Sequence, residues 1–186
     1  MNEKHELRSS MRALRKRLTD ADPMAASRVA DHVADLPAGK TVALYRAIGS
    51  ELDTSPLAQA LIVQGRTLCL PVVLDADAAM IFRRWAPGEP LEMDVAGCPA
   101  PLPLAETLTP DLVILPLLAF DPTGARLGQG GGHYDRTLAA LRRDGSIIAV
   151  GMAYAGQGLE RLPIEAHDQP LDGVLTETGY TPARKV

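Results

Sequence analysis

The stretch that most constrains this chain is an apolar run from Leu112 to Phe120, interrupted only by Pro116, that opens into a glycine-rich segment. Leu112 to Leu118 has no polar residue, the pattern of a strand in a sheet covered on both faces. The run is far shorter than the roughly twenty apolar residues of a membrane helix, so no membrane partner is expected. The N-terminus is mixed in charge with no apolar signal core, and the expected location is cytoplasmic.

Around this run the chain alternates. Thr41 to Tyr45 reads as a buried strand, Thr54-Ser55-Pro56 as the cap of a helix running to Gly65, and Thr67 to Val73 as the next strand. Met80 to Trp85 reads as a further strand, with Met80 and Phe82 packing and Trp85 either core or the border of a cleft. The six prolines and two glycines of Ala86 to Pro110 suggest a long surface connection. A helix over about Tyr134 to Arg143, a strand from Ile147 to Met152 and a short strand at Val174 to Thr176 follow.

Toward the N-terminus, Leu7, Met11, Leu14 and Leu18 form one apolar helical stripe between Glu3 and Leu18. Lys4, Arg8, Arg12 and Arg15 form a basic stripe beside it. A second helix is expected from Asp22-Pro23, with Asp22 as cap, to Leu36-Pro37. Strands alternating with helices predict an α/β fold, a three-layer αβα sandwich with a mainly parallel, Rossmann-like sheet. One domain over residues 1–186 is expected.

Composition excludes several roles. A net charge of −4, a pI of about 5.5 and 4% aromatic residues oppose a nucleic-acid partner. Cys69 and Cys98 lie outside any Cys-x-x-Cys spacing, and His5, His32 and His167 have no spacing of a metal cluster.

The glycine-rich segment carries the chemistry. The strand leads into a turn at Asp121 to Gly124, then Arg126-Leu-Gly-Gln-Gly-Gly-Gly-His-Tyr-Asp-Arg136, then a helix. Backbone N–H groups beside a helix N-terminus make an anion site, phosphate above all, and Arg126 adds a bidentate charged donor. The segment lacks the Lys-Ser/Thr of a Walker loop, and His133 stands where the dinucleotide pattern needs its third glycine.

These residues resemble the signature of the 5-formyltetrahydrofolate cyclo-ligase (methenyltetrahydrofolate synthetase) family, usually Arg-Leu-Gly-x-Gly-x-Gly-Tyr-Tyr-Asp. Further blocks match in order: Lys4 and Arg8 in a Lys-x-x-Leu-Arg pattern, Glu51-Leu-Asp-Thr54, Leu70-Pro71, and His167-Asp168 followed by Leu171-Asp172. One departure is His133, at the place of the first tyrosine.

The resemblance implies an enzyme that uses MgATP to convert 5-formyltetrahydrofolate into 5,10-methenyltetrahydrofolate, releasing ADP and phosphate. It implies that Lys4, Arg8 and the segment Arg126, Leu127, Gly128, Gln129, Gly130, Gly131, Gly132, His133 and Tyr134 bind ATP, with Arg126 and Tyr134 catalytic. Gln129 to His133 also face the folate. Glu51 is expected to hold the pterin end, since a carboxylate accepts two hydrogen bonds from an amino-pyrimidine edge. Arg46 is a further substrate candidate, and Asp135 and Asp168 are the Mg²⁺ candidates, suited to a hard cation that also takes phosphate oxygens and water. Arg12, Arg15, Lys16 and Arg17 gain nothing from the resemblance and are expected at the surface. The expected assembly is a monomer or weak homodimer. The alternative is a family member that binds folate or nucleotide without turnover.

Overall fold

The computed structural model describes residues 3–184. Helices α1 (Glu3–Ala21) and α2 (Ala25–Asp31) lead into β1 (Thr41–Ala43), α3 (Ser55–Val63) and β2 (Thr67–Val72). Next come β3 (Ile81–Arg84), β4 (Leu91–Met93), β5 (Pro99–Pro101) and β6 (Thr107–Leu108). Strands β7 (Leu112–Pro116), β8 (Ala119–Phe120) and β9 (Arg126–Leu127) precede α4 (His133–Asp144). Strands β10 (Ile148–Met152), β11 (Gly173–Thr176) and β12 (Gly179–Pro182) follow.

Eight strands make the main sheet, in the order β12-β11-β10-β7-β1-β2-β3-β6. The central strands β11, β10, β7, β1 and β2 pair in parallel, while β12 at one edge and β3 and β6 at the other pair antiparallel. Ala25 and Val29 of α2 and Leu57 and Leu61 of α3 pack on one face, with Val42, Ile114 and Val150 of the sheet. Leu138 of α4 packs on the other face with Val113, Leu115 and Ala149. This is the three-layer α/β arrangement that the alternation predicts. Helix α1 lies outside those layers, its Met11 with Leu7 and Leu14 packed on Leu118, Leu127 and Leu162.

The winding places a ligand crevice. From β1 the chain passes through α3 to β2 on one side, whereas from β7 it passes through α4 to β10 on the other. The strand order reverses between β1 and β7, and the space beyond their carboxyl ends is where open α/β sheets bind ligands.

Three local expectations are corrected. The second helix starts later, at Ala25, because α1 runs on to Ala21 and Asp22 closes the intervening turn, its carbonyl accepting from Ala25 N. The Asp22 carboxylate pairs with Arg28 rather than capping. Thr54 stands at the N-cap of α3, but its hydroxyl donates 2.8 Å to the buried Tyr45 carbonyl. The segment from Ala86 to Pro110 is not a bare surface connection. It pairs β4 with β5, adds β6 to the main sheet edge and buries Ala100, and Asp94 Oδ2 there accepts from Val73 N at 2.9 Å. No helix among the described residues is long and apolar enough to cross a membrane.

Candidate active site

A cavity of about 300 Å³ opens at the crevice, and the ends of β1 and β7 supply Tyr45, Arg46, Pro116 and Leu117 to its wall. Its walls also include Lys4, Arg8, Glu51, the whole segment 126–135 and Asp168, so every site residue expected from the sequence reaches this one cavity. Residues more than 160 positions apart are joined by folding alone.

The glycine segment runs from β9 into α4. Gly132 is the N-cap of α4 with φ of 68°, and Gly130 has φ of 108°, a region that disfavours residues with a Cβ. The loop is held from both sides. On the α1 side, Arg8 Nε donates to the Gly128 carbonyl at 3.1 Å and Arg12 Nε to Gln129 Oε1 at 2.9 Å. On the α4 side, Arg136 Nη2 donates to the carbonyls of Gly131 at 3.0 Å and Ala76 at 2.6 Å, and meets His133 Nδ1 at 3.2 Å. Arginines thus occupy loop carbonyls, while α4 presents its positive end to the cavity.

The charged residues are paired. Arg126 Nη2 lies 2.7 Å from Asp135 Oδ1, and the Arg126 side chain is only 5% exposed. Arg126 also donates to the Gln169 carbonyl, and Gln169 N donates to Asp135 Oδ1 at 2.9 Å. Lys4 Nζ sits 2.8 Å from Asp168 Oδ2 and 3.4 Å from Glu165 Oε1. Burial pushes the Asp168 carboxyl up, but the Lys4 ammonium and the Glu165 N–H outweigh it and hold it below the usual range. Glu165, His167 and Asp168 each offer a ligand atom, all within 4.8 Å of one another, a grouping that histidine spacing did not reveal. Carboxylate oxygens are the donors a hard divalent cation prefers, so Asp135 and Asp168 fit Mg²⁺ chemically.

Glu51, Tyr45, Arg46 and Arg15 also line the cavity. Glu51 Oε2 accepts from Ile48 N at 3.0 Å, and its Oε1 lies 3.6 Å from Arg15 Nη1. Burial raises the Glu51 carboxyl, and the Ile48 N–H and the Arg15 charge only partly offset it. The Tyr45 hydroxyl donates to the Leu52 carbonyl at 2.7 Å, and burial pushes it well up. Tyr134 is likewise raised, by burial and then by Glu51. Arg46 lies over the Trp85 ring, 5.5 Å from its centroid. Trp85 is buried in the core, which settles the choice left open by the sequence.

The profile of the 5-formyltetrahydrofolate cyclo-ligase family matches residues 1–177. This chain belongs to that family. A 5-formyltetrahydrofolate cyclo-ligase of Haemophilus influenzae is 35% identical over 92% of this chain and 96% of its own. One from Escherichia coli K12 is 38% identical over 73% of this chain and 77% of its own. The solved 5,10-methenyltetrahydrofolate synthetase of Aquifex aeolicus superposes with a TM-score of 0.80 at 31% identity, covering 98% of this chain and 94% of that one.

Within this cyclo-ligase family member, one expectation about α1 is overturned, while Arg12, Lys16 and Arg17 are at the surface as expected. Arg15 is not on the surface: it is 5% exposed and lines the cavity. Arg12 is exposed, yet it holds the glycine loop through Gln129. Helical spacing aligned both with the basic stripe, but the partners that separate them, Gln129 for Arg12 and Ser50 for Arg15, lie 35 or more residues away. The missed wall residues Cys98 and Pro99 come from the segment read as a surface connection. Their proline-rich setting hides the pairing of β4 with β5.

Proposed function

We propose that this protein catalyses the ATP-dependent cyclisation of 5-formyltetrahydrofolate to 5,10-methenyltetrahydrofolate, releasing ADP and phosphate. The observation that carries the reading is the convergence on one cavity of a glycine loop at a helix N-terminus, two charge-paired carboxylates and Glu51, whose side chain is 10% exposed. A triphosphate fits the glycine loop, and an amino-pyrimidine fits the Glu51 carboxylate.

The formyl oxygen of an amide-like group leaves poorly. Attack of that oxygen on the γ-phosphorus expels ADP and turns it into a phosphate leaving group. N10 then adds to the activated carbon, loses its proton, and inorganic phosphate departs with the former formyl oxygen. Such a sequence asks the protein for alignment and charge dispersal rather than for a nucleophile. Lys4, Arg8, Arg126 and the N–H groups of 128–134 would orient the phosphates, with His133 and Tyr134 placed between nucleotide and folate. Glu51 would hold the pterin, and Arg46 would flank it. Asp135 and Asp168 would hold Mg²⁺, which when bound neutralises phosphate charge. Their present partners, Arg126 and Lys4, would turn to phosphate oxygens.

The test is the absorbance of methenyltetrahydrofolate formed by purified protein from 5-formyltetrahydrofolate, with and without MgATP. Product only with MgATP is the expected result. Tight folate binding without product would favour the non-catalytic reading, and neither binding nor product would refute the substrate.

A further inference from the structure

Among the arginines of α1, Arg15 is distinguished by burial. Its Nε donates to Ser50 Oγ at 3.2 Å, its Nη1 donates to the Leu117 carbonyl at 3.3 Å, and the same Nη1 faces Glu51 Oε1 at 3.6 Å. Ser50 and Glu51 follow β1, whereas Leu117 follows β7, so one guanidinium bridges the two sides of the strand reversal. One turn further along α1, Thr19 Oγ1 donates 2.9 Å to the Ser50 carbonyl and fastens the same loop.

We infer that Arg15 is a positioning residue for Glu51, fixing the orientation of its carboxylate and supplying its countercharge in the cavity wall. The inference rests on the proposed pterin role of Glu51. A buried carboxylate without a cation is costly, and the planar fork of arginine reaches three acceptors where a lysine ammonium does not. The other titratable groups facing Glu51 are Tyr45 beyond β1, Tyr134 on α4 and Cys98 after β4. All three are raised by burial foremost and also by the Glu51 charge, so they are neutral near pH 7 and none replaces the cation. Removing Arg15 leaves burial opposed only by the Ile48 N–H, and Glu51 then takes up a proton at a higher pH.

The test measures 5-formyltetrahydrofolate KM across pH for the wild type, Glu51→Gln, Arg15→Gln, Arg15→Lys and the double Gln variant, with melting curves beside them. Glu51→Gln is expected to raise folate KM about tenfold, the scale of a lost charged hydrogen bond. Arg15→Gln should raise it on the acid side of the Glu51 titration, let it recover as pH rises, and move the titration midpoint to higher pH than in the wild type. The double variant should be no worse than Glu51→Gln, since the two act as one unit. Arg15→Lys should restore the midpoint while leaving KM partly raised, and it carries the test if Arg15→Gln does not fold. A pH-independent rise, or effects that add in the double variant, would overturn the inference and leave Arg15 a structural residue. An unchanged folate KM in Glu51→Gln would instead remove the pterin reading on which the inference stands.

Discussion

Replacing Arg126 by methionine should weaken the fold and the nucleotide site together, and the structure allows both losses to be sized. The Arg126 side chain is 5% exposed and that of Asp135 is 22% exposed, so the pair at 2.7 Å is largely shielded from water. Removing one partner of a buried pair costs about 3–5 kcal/mol. Here Asp135 retains the Gln169 N–H at 2.9 Å and some solvent, which places the cost near the lower figure. For a chain of this length each kcal/mol moves the melting temperature by about 2–4 °C, so the variant should melt about 6–12 °C lower. If the guanidinium also meets the triphosphate, the lost charged hydrogen bonds should lower kcat/KM for ATP by about tenfold to a hundredfold. Thermal melting and initial-rate kinetics at 20 °C below the variant's melting point separate the two effects, with about 20 °C chosen so that the folded fraction stays near one. An unchanged melting temperature would refute the argument from the ion pair. A lowered melting temperature with unchanged kcat/KM for ATP would confine Arg126 to structure.

Two more predictions concern titration and reactivity. Because Asp168 is held below its usual range, its contribution to stability is complete above about pH 4, the unfolded value, and is lost as pH falls through the lowered folded value. Asp168→Asn should therefore flatten the acid side of a melting-temperature profile, and an unaltered acid limb would count against the Lys4 contact. The Cys69 thiol is pushed up to about 12 by burial and then by Asp111, so a thiol reagent at pH 8 should spare it until the protein unfolds. Cys98 is only partly buried and lines the cavity, so although burial raises its thiol too, it should react in the folded state, more slowly than a free thiol, and be protected by 5-formyltetrahydrofolate. Labelling of Cys98 that folate leaves unaltered would place the ligand elsewhere.

Much of this molecule was legible without coordinates. The apolar run Leu112 to Leu118 and the strand-helix-strand order of residues 41 to 73 announced β7, β1, α3 and β2, because burial on both faces leaves a local pattern. Gly130 and Gly132 announced the loop, since its left-handed backbone needs glycine. What stayed hidden is non-local. Strand β6 spans Thr107–Leu108 alone and exists because β3 offers an unpaired edge. The pairing of β4 with β5 has three prolines among its strands and flanks, a composition that reads as loop until a partner is present.

The same division holds in the site. The resemblance to the family's ordered motifs was enough to single out Arg126, Asp135, Glu51 and the glycine loop, and all of them line one cavity. Only the tertiary structure decided which cation serves which anion. Arg15 and Arg12 lie three residues apart on one helix, yet one is buried against Glu51 and the other is exposed over Gln129. Helical periodicity assigns a direction around the axis, but the depth of a side chain and the sign of its neighbour depend on what the sheet brings opposite. Here the reversal between β1 and β7 brings Ser50, Glu51 and Leu117 together, and that closure turns a surface arginine of the sequence into a wall of the cavity.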